Sequence, residues 1–129
     1  MIVLAAAPAG GYHLLKKIPL GPAEGGGEYF HYITVDAAAR RAYLSHGTEI
    51  VVVDADNGVE IGKIGGLKRD QGVALVPELC RGFISDGDAA QVVIFDLKTL
   101  KKIGEVKGEE DADSIIYEPV SKRIFVFNG

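Results

Sequence analysis

The stretch Arg41-Ala42-Tyr43-Leu44-Ser45-His46-Gly47 decides the fold, because the chain contains two further versions of it. One begins at Arg81 and reads Arg-Gly-Phe-Ile-Ser-Asp-Gly; the other begins at Arg123 and reads Arg-Ile-Phe-Val-Phe-Asn-Gly. The spacings are therefore 40 and 42 residues. A period near forty residues that carries strand-like segments is typical of propeller blades and other stacked repeats. The sequence predicts a repeat architecture.

The first two repeats each contain four short apolar segments, rich in β-branched and aromatic residues and separated by Gly, Asp or Asn, and the third contains two. This composition favours strands over helices. We therefore predict an all-β fold of β-propeller blades, each with four antiparallel strands. The predicted strands are 32–35, 42–45, 50–53 and 59–64, then 73–76, 82–85, 92–95 and 100–106, and finally 115–119 and 124–127.

The third and fourth segments of each repeat differ in character. Ile50–Val53 and Val92–Phe95 are apolar at every position, and such a strand requires cover on both faces. The fourth segment is interrupted by charged residues such as Lys101 and Glu105, as expected of an outer edge strand. A blade between two neighbouring blades satisfies both requirements.

Two aspartates occupy the same place after the third segment. Asp54 opens the turn to the fourth strand in one repeat, and Asp96 does so in the next. Aspartate side chains accept hydrogen bonds from backbone amides two residues on and thereby close a turn. We predict this structural role for both.

The repeats also define the organisation of the chain. Residues 1–11 are predicted to be a signal-peptide remnant or tail, and 12–129 a partial propeller. Within it, 12–20 resemble the last strand of a preceding blade, 28–66 and 67–108 are complete blades, and 109–129 are the first half of a further blade. Propellers close with four to eight blades, so we expect an open, incomplete propeller. Its terminal blades should expose apolar faces through which the chain can self-associate.

Composition and charge narrow the function classes. A net charge of −4 and a pI near 5.3 argue against a nucleic-acid partner, which requires clustered Lys and Arg. No segment is long enough to span a bilayer.

Met1–Gly11 passes from apolar to small residues and resembles the end of a secretory signal, although it could also be an ordinary first strand. We expect export to the periplasm or the extracellular space.

The blade pattern resembles the YVTN-type β-propeller repeat. In that repeat a strand leads through an Asp-Pro-like turn and a basic residue to a "lYVsn" strand, a Val-rich strand that ends in Ile-Asp, and a "Gly-x-x-Val" return strand. The resemblance implies a ring of about seven blades, frequent export, and no defined chemistry for most members. The matching segments are Val35-Asp36 to Arg41, Tyr43–His46, Val51–Asp54 and Ile61–Ile64, with counterparts in the second repeat.

Six polar side chains occupy equivalent positions on one predicted loop face. Their identities vary while the framework around them stays fixed, as in the binding surfaces of repeat proteins. The six residues are His31, Gln71 and Asp113, each two residues before the first core residue of an inner strand, and His46, Asp86 and Asn128, each directly before a glycine. Each set of three also has an alternative explanation. His31, Gln71 and Asp113 would be polar because they face a solvated channel, and His46, Asp86 and Asn128 because they form local turns.

We therefore expect a repeat scaffold that binds an unidentified protein or small-molecule ligand through this face, with no catalytic residue, cofactor or metal. The alternative is an enzymatic propeller, lactonase-like or quinoprotein-like, that uses His31 or His46 for acid-base or metal chemistry. The chain lacks the Gly-x-Ser-x-Gly, phosphate-loop and His-Glu-x-x-His motifs, which favours the scaffold.

Overall fold

The computed structural model describes residues 10–26 and 29–129, in which ten strands form three antiparallel sheets. Each sheet follows the order of the sequence, so consecutive strands are hydrogen-bonded neighbours. Blade 1 contains β1 (Ile33–Asp36), β2 (Arg41–His46), β3 (Glu49–Asp54) and β4 (Glu60–Ile64). Blade 2 contains β5 (Asp70–Val76), β6 (Arg81–Asp86), β7 (Gln91–Asp96) and β8 (Lys102–Lys107), and the half-blade contains β9 (Ala112–Glu118) and β10 (Arg123–Asn128).

The sheets stack with their first strands on one side. β5 packs against β1 and β2, and β9 packs against β5 and β6. Two three-residue 3₁₀ turns, Pro77–Leu79 and Gly87–Ala89, lie at either end of β6. Within the part of the chain that the structure describes, no helix has the length and hydropathy of a membrane span.

The turns repeat as closely as the strands. Arg40, Cys80 and Lys122, which directly precede the second strands, all adopt left-handed φ angles of 54° to 56°. Asp54 and Asp96 each accept two hydrogen bonds through Oδ1, from the amides two and three residues on, at 2.8 to 2.9 Å. The predicted structural role of both aspartates is confirmed.

Apolar packing between blades forms the core. Tyr43 and Val52 of blade 1 share one buried cluster with Val73, Val93 and Phe95 of blade 2. β3 is buried at nearly every position, whereas β8 is exposed at nearly every position. The predicted contrast between a covered third strand and a solvated fourth strand is therefore present in the structure.

Residues 12–20, predicted as the last strand of a preceding blade, form no strand in the structure. Such a strand needs the third strand of its own blade as a hydrogen-bond partner, and no described strand of a preceding blade exists to provide one. We call residues 16–24 the N-terminal strap, because they lie against the turns at both ends of β3. Lys16 Nζ donates to Asn57 O, the Ile18 side chain packs against Gly58, and Thr48 Oγ1 donates to Glu24 O.

The outer side of blade 1 has no neighbouring sheet among the described residues. By strand alternation, Val51 and Val53 of β3 point to this side, away from blade 2. Both valines are nevertheless buried. The N-terminal strap contacts the turns at both ends of the strand that carries them. The predicted signal-peptide remnant lies mostly outside the described residues.

Gly82 makes a tight cross-strand contact inside blade 2, beneath a ring that packs against blade 1. It is the cross-strand partner of the fully buried Phe95, and a Cβ at this position would lie 2.1 Å from Phe95 Cζ. The ring therefore occupies the space that a side chain would need.

We expect Gly82→Ala to lower the free energy of unfolding by about 1–3 kcal/mol, because overpacking a filled core costs that much. Gly104→Ala is the matched control, since its Cβ would meet Ile94 Cδ1 at an ordinary 3.9 Å. Urea denaturation of both variants measures the difference. Equal stability of the two variants would contradict this packing.

Candidate functional site

An open cleft of about 360 Å³ lies where the first strands of blade 1, blade 2 and the half-blade begin. The backbone joins two of its walls directly, because Tyr32 N donates to Gln71 O at 3.2 Å. Side chains from three successive repeats thus share one surface. The lining residues are His31, Tyr32, Arg69, Gln71, Asp111 and Asp113.

Arg69 is flanked by carboxylates. Its Nη2 donates to Asp111 Oδ1. Its Nε forms an ion pair with Asp88 Oδ1 at 3.0 Å, but the geometry is not that of a hydrogen bond. Asp113 makes no ion pair within the described residues. Two carboxylates therefore flank the guanidinium, and Asp113 adds a third carboxylate to the same cleft, so the charge of this region is net negative.

Gln71 has a buried amide oxygen without a partner. The residue is 4% exposed, and its Oε1 accepts no hydrogen bond from the described protein. An unpaired buried acceptor costs about 1–3 kcal/mol. A hydrogen-bond donor that enters the cleft and reaches this oxygen would remove that cost.

Asp70 directly precedes the cleft residue Gln71 in the chain. It is fully buried; its Oδ2 accepts from His46 N at 3.1 Å, while its Oδ1 has no partner in the described protein. Burial disfavours the charged form and raises the pKa of Asp70 to about 6. Several hydrogen bonds and the nearby His31 act in the opposite direction without cancelling it.

Asp86 fixes the backbone next to the cleft through hydrogen bonds. It is fully buried, and its Oδ1 accepts from the amides of Lys68 and Arg69 at 3.0 and 2.9 Å. Its Oδ2 accepts from Gln91 Nε2 at 3.2 Å. The local turn chemistry considered for this residue is therefore wrong: the carboxylate holds the connection between two blades, and with it the backbone of Arg69.

His46 and Asn128 do not line the cleft either. The His46 ring is fully buried and stacks on Phe30 with centroids 4.4 Å apart. Its Nδ1 lies 4.0 Å from Glu49 Oε1. Asn128, the last residue of β10, donates from Nδ2 to Glu110 O at 2.6 Å. His31 and His46 thus occupy separate surroundings.

The structure brings together three of the six candidate residues, His31, Gln71 and Asp113. No group of three or more His, Cys, Asp or Glu side chains is arranged to hold a metal ion in the part of the chain that is described. Sequence reasoning missed Arg69 and Asp111. Their signal was available, since each lies two residues before a candidate and they are equivalent positions in the repeat.

We expect the stability of the protein to depend on the protonation of Asp70. Its folded-state pKa lies above the unfolded value of about 3.9, so the native state keeps a proton that the unfolded chain loses. The free energy of unfolding therefore falls as the pH rises from about 4 to about 6. Asp70→Asn removes this titration, and its stability relative to wild type should rise by up to about 3 kcal/mol over that interval.

Urea denaturation at several pH values measures this difference. Glu60→Gln, which changes an exposed carboxylate on β4, serves as the control and should show a nearly constant offset. An offset for Asp70→Asn that is equally constant would contradict the assignment.

Comparison with known proteins identifies the fold. No family model matches the chain, and no curated protein matches it by sequence. Hydrazine synthase from Kuenenia stuttgartiensis superposes with a TM-score of 0.71 at 20% identity, over 95% of this chain and 33% of that chain. Apo AztD from Citrobacter koseri superposes with a TM-score of 0.60 at 15% identity, over 69% of this chain and 26% of that chain.

This chain spans about a third and about a quarter of the lengths of these two structures. At such identities the likeness concerns the fold alone. It agrees with the stacked sheets described above and confirms the predicted class: all-β, with propeller blades of four antiparallel strands that do not close into a barrel.

Proposed function

We propose that this protein is a non-enzymatic repeat-propeller scaffold that binds a small cationic hydrogen-bond donor, such as an organic amine, in the cleft between the first strands. The observation that carries the proposal is the surplus of acceptor oxygens in and next to the cleft. Gln71 Oε1 and Asp70 Oδ1 are buried without a partner in the described protein, and Asp113 adds a carboxylate without an ion pair.

Charge supports a cation over an anion. The guanidinium of Arg69 is already neutralised by Asp111 and Asp88, so it has little attraction left for an anionic ligand. The additional negative charge of Asp113 raises the local concentration of cations, an effect that a concave surface strengthens. An ammonium group also brings up to three N–H donors.

Hydrogen bonding supports a donor-rich ligand. A donor that reaches Gln71 Oε1 gains a bond without displacing an existing protein partner. Such a bond contributes about 0.5–1.5 kcal/mol net, and more when the donor is charged. Tyr32 borders the same space and supplies an aromatic ring of the kind that attracts cations.

We also propose that the repeat is of the YVTN type and that the protein is exported. The proposals rest on the segments Tyr43–His46 and Val51–Asp54 and on the small-residue end of Met1–Gly11. The coding sequence upstream of Met1 tests export: an in-frame basic leader is expected, and a stop codon directly before Met1 would contradict it.

Binding can be tested with three probes that share one carbon chain: 1,4-diaminobutane, 1,4-butanediol and succinate. NMR titration at low ionic strength should show 1,4-diaminobutane shifting the amide resonances of Gln71 and Asp113. The diol should bind more weakly, and succinate should leave these resonances unchanged. Gln71→Leu and Asp113→Asn should each weaken diamine binding by about threefold or more, the equivalent of one hydrogen bond or ion pair.

Glu60→Gln is the matched control, because it removes the same charge as Asp113→Asn from an exposed position on β4. It should leave diamine binding within about twofold of wild type, as exposed charges contribute little. Equal losses in the two variants would show general attraction to an acidic protein. Succinate binding as tight as that of the diamine would also contradict the proposal.

A further inference from the structure

The outer side of blade 1 exposes apolar residues whose counterparts inside the stack are buried. Ile33 occupies the repeat position of Val73 and Ile115. It is 66% exposed, whereas they are 5% and 6% exposed. Val35, two residues on in β1, is 60% exposed. We call Ile33 and Val35 the front face.

The opposite end of the stack also exposes apolar residues whose counterparts inside the stack are buried. Phe125 of β10 occupies the repeat position of Tyr43; it is 42% exposed, and Tyr43 is 1% exposed. Its cross-strand partner Ile116 is 48% exposed, and Phe127 is 53% exposed. We call Ile116, Phe125 and Phe127 the rear face. Each end thus carries one half of a blade-to-blade contact.

The two faces also lie on corresponding parts of a blade. Val51 and Val53, on the outer side of blade 1, are buried, whereas Ile33 and Val35 on the inner strand β1 are exposed. The rear face lies on β9 and β10, which correspond to the two inner strands of a blade. Both faces therefore involve inner strands.

We propose that the rear face binds the front face of a second copy of this chain, head to tail. The contact continues the interface already present inside the stack. There, Tyr43 and Val73 belong to one buried cluster, and Ala74 and Ile115 belong to another. Phe125 and Ile116 on one copy, with Ile33 on the next, are the repeat equivalents of these pairs.

This contact joins two different surfaces, so a bound pair still offers one free face at each of its ends. Contacts of this kind add further copies until a ring closes, and they build a filament if the rotation does not close. Two or three copies bring the number of blades within the four to eight that close a propeller. The assembly would thereby complete the channel wall that contains the cleft.

Two single variants and their mixture test the proposal by sedimentation velocity over a range of concentrations. Val35→Glu places a charge on the front face, and Phe125→Glu places one on the rear face. Each variant should weaken self-association by at least about tenfold, since a central apolar contact is lost. An equimolar mixture should form a complex of two chains, because each variant retains the face that the other lacks.

Val120→Glu is the control, since Val120 is 91% exposed in the turn between β9 and β10, outside both faces. It should assemble as wild type does, and circular dichroism should show that all three variants are folded. A wild-type chain that stays monomeric at every concentration would overturn the proposal, as would a mixture that stays monomeric. Undiminished association of either variant alone would show pairing of like faces and would also overturn it.

Discussion

The fold depends on one constraint: the third strand of each blade is apolar on both faces and must be covered on both sides. In β3, Val52 packs into the cluster shared with blade 2, and Val51 points the other way. A four-stranded sheet cannot bury both sides alone, so the stability of a blade comes from its neighbours. On the outer side of blade 1 the described chain has no further sheet, yet Val51 and Val53 are buried there as well.

The same stacking creates the cleft. Face-to-face packing brings the first strands side by side, and polar contacts then fix their spacing. Thr34 Oγ1 donates to Val73 O at 2.8 Å, and Ser85 Oγ donates to Asp113 O at 2.7 Å. Asp86 accepts hydrogen bonds from the amides of Lys68 and Arg69 and so fixes the end of the connection between blade 1 and blade 2. The chemistry of the cleft can therefore vary from one repeat to the next while its shape is maintained by the framework.

Local sequence pattern predicted the features that depend on local physics. Continuous apolar runs located β3 and β7, and the Asp-containing turns located Asp54 and Asp96. The start of β5 was not predicted, because Asp70 and Gln71 are polar and nothing in the local pattern indicates that a neighbouring blade buries them. His46 and Asp86 failed for a related reason: a polar residue before a glycine is typical of a turn, yet the His46 ring stacks on Phe30 and Asp86 accepts from the amides of Lys68 and Arg69, all distant in the sequence. Residues 12–20 copy a strand sequence, but the described part of the chain offers them no strand to pair with.

The central claim is that successive repeats pack face to face through their apolar strands. Nuclear Overhauser contacts between the rings of Tyr43 and Phe95 test it most directly, since the two residues lie in different repeats and their ring centroids are 6.0 Å apart. The account predicts clear cross-peaks between these rings. Their absence from a spectrum that does show contacts within blade 1, such as Tyr43 with Val52, would contradict it.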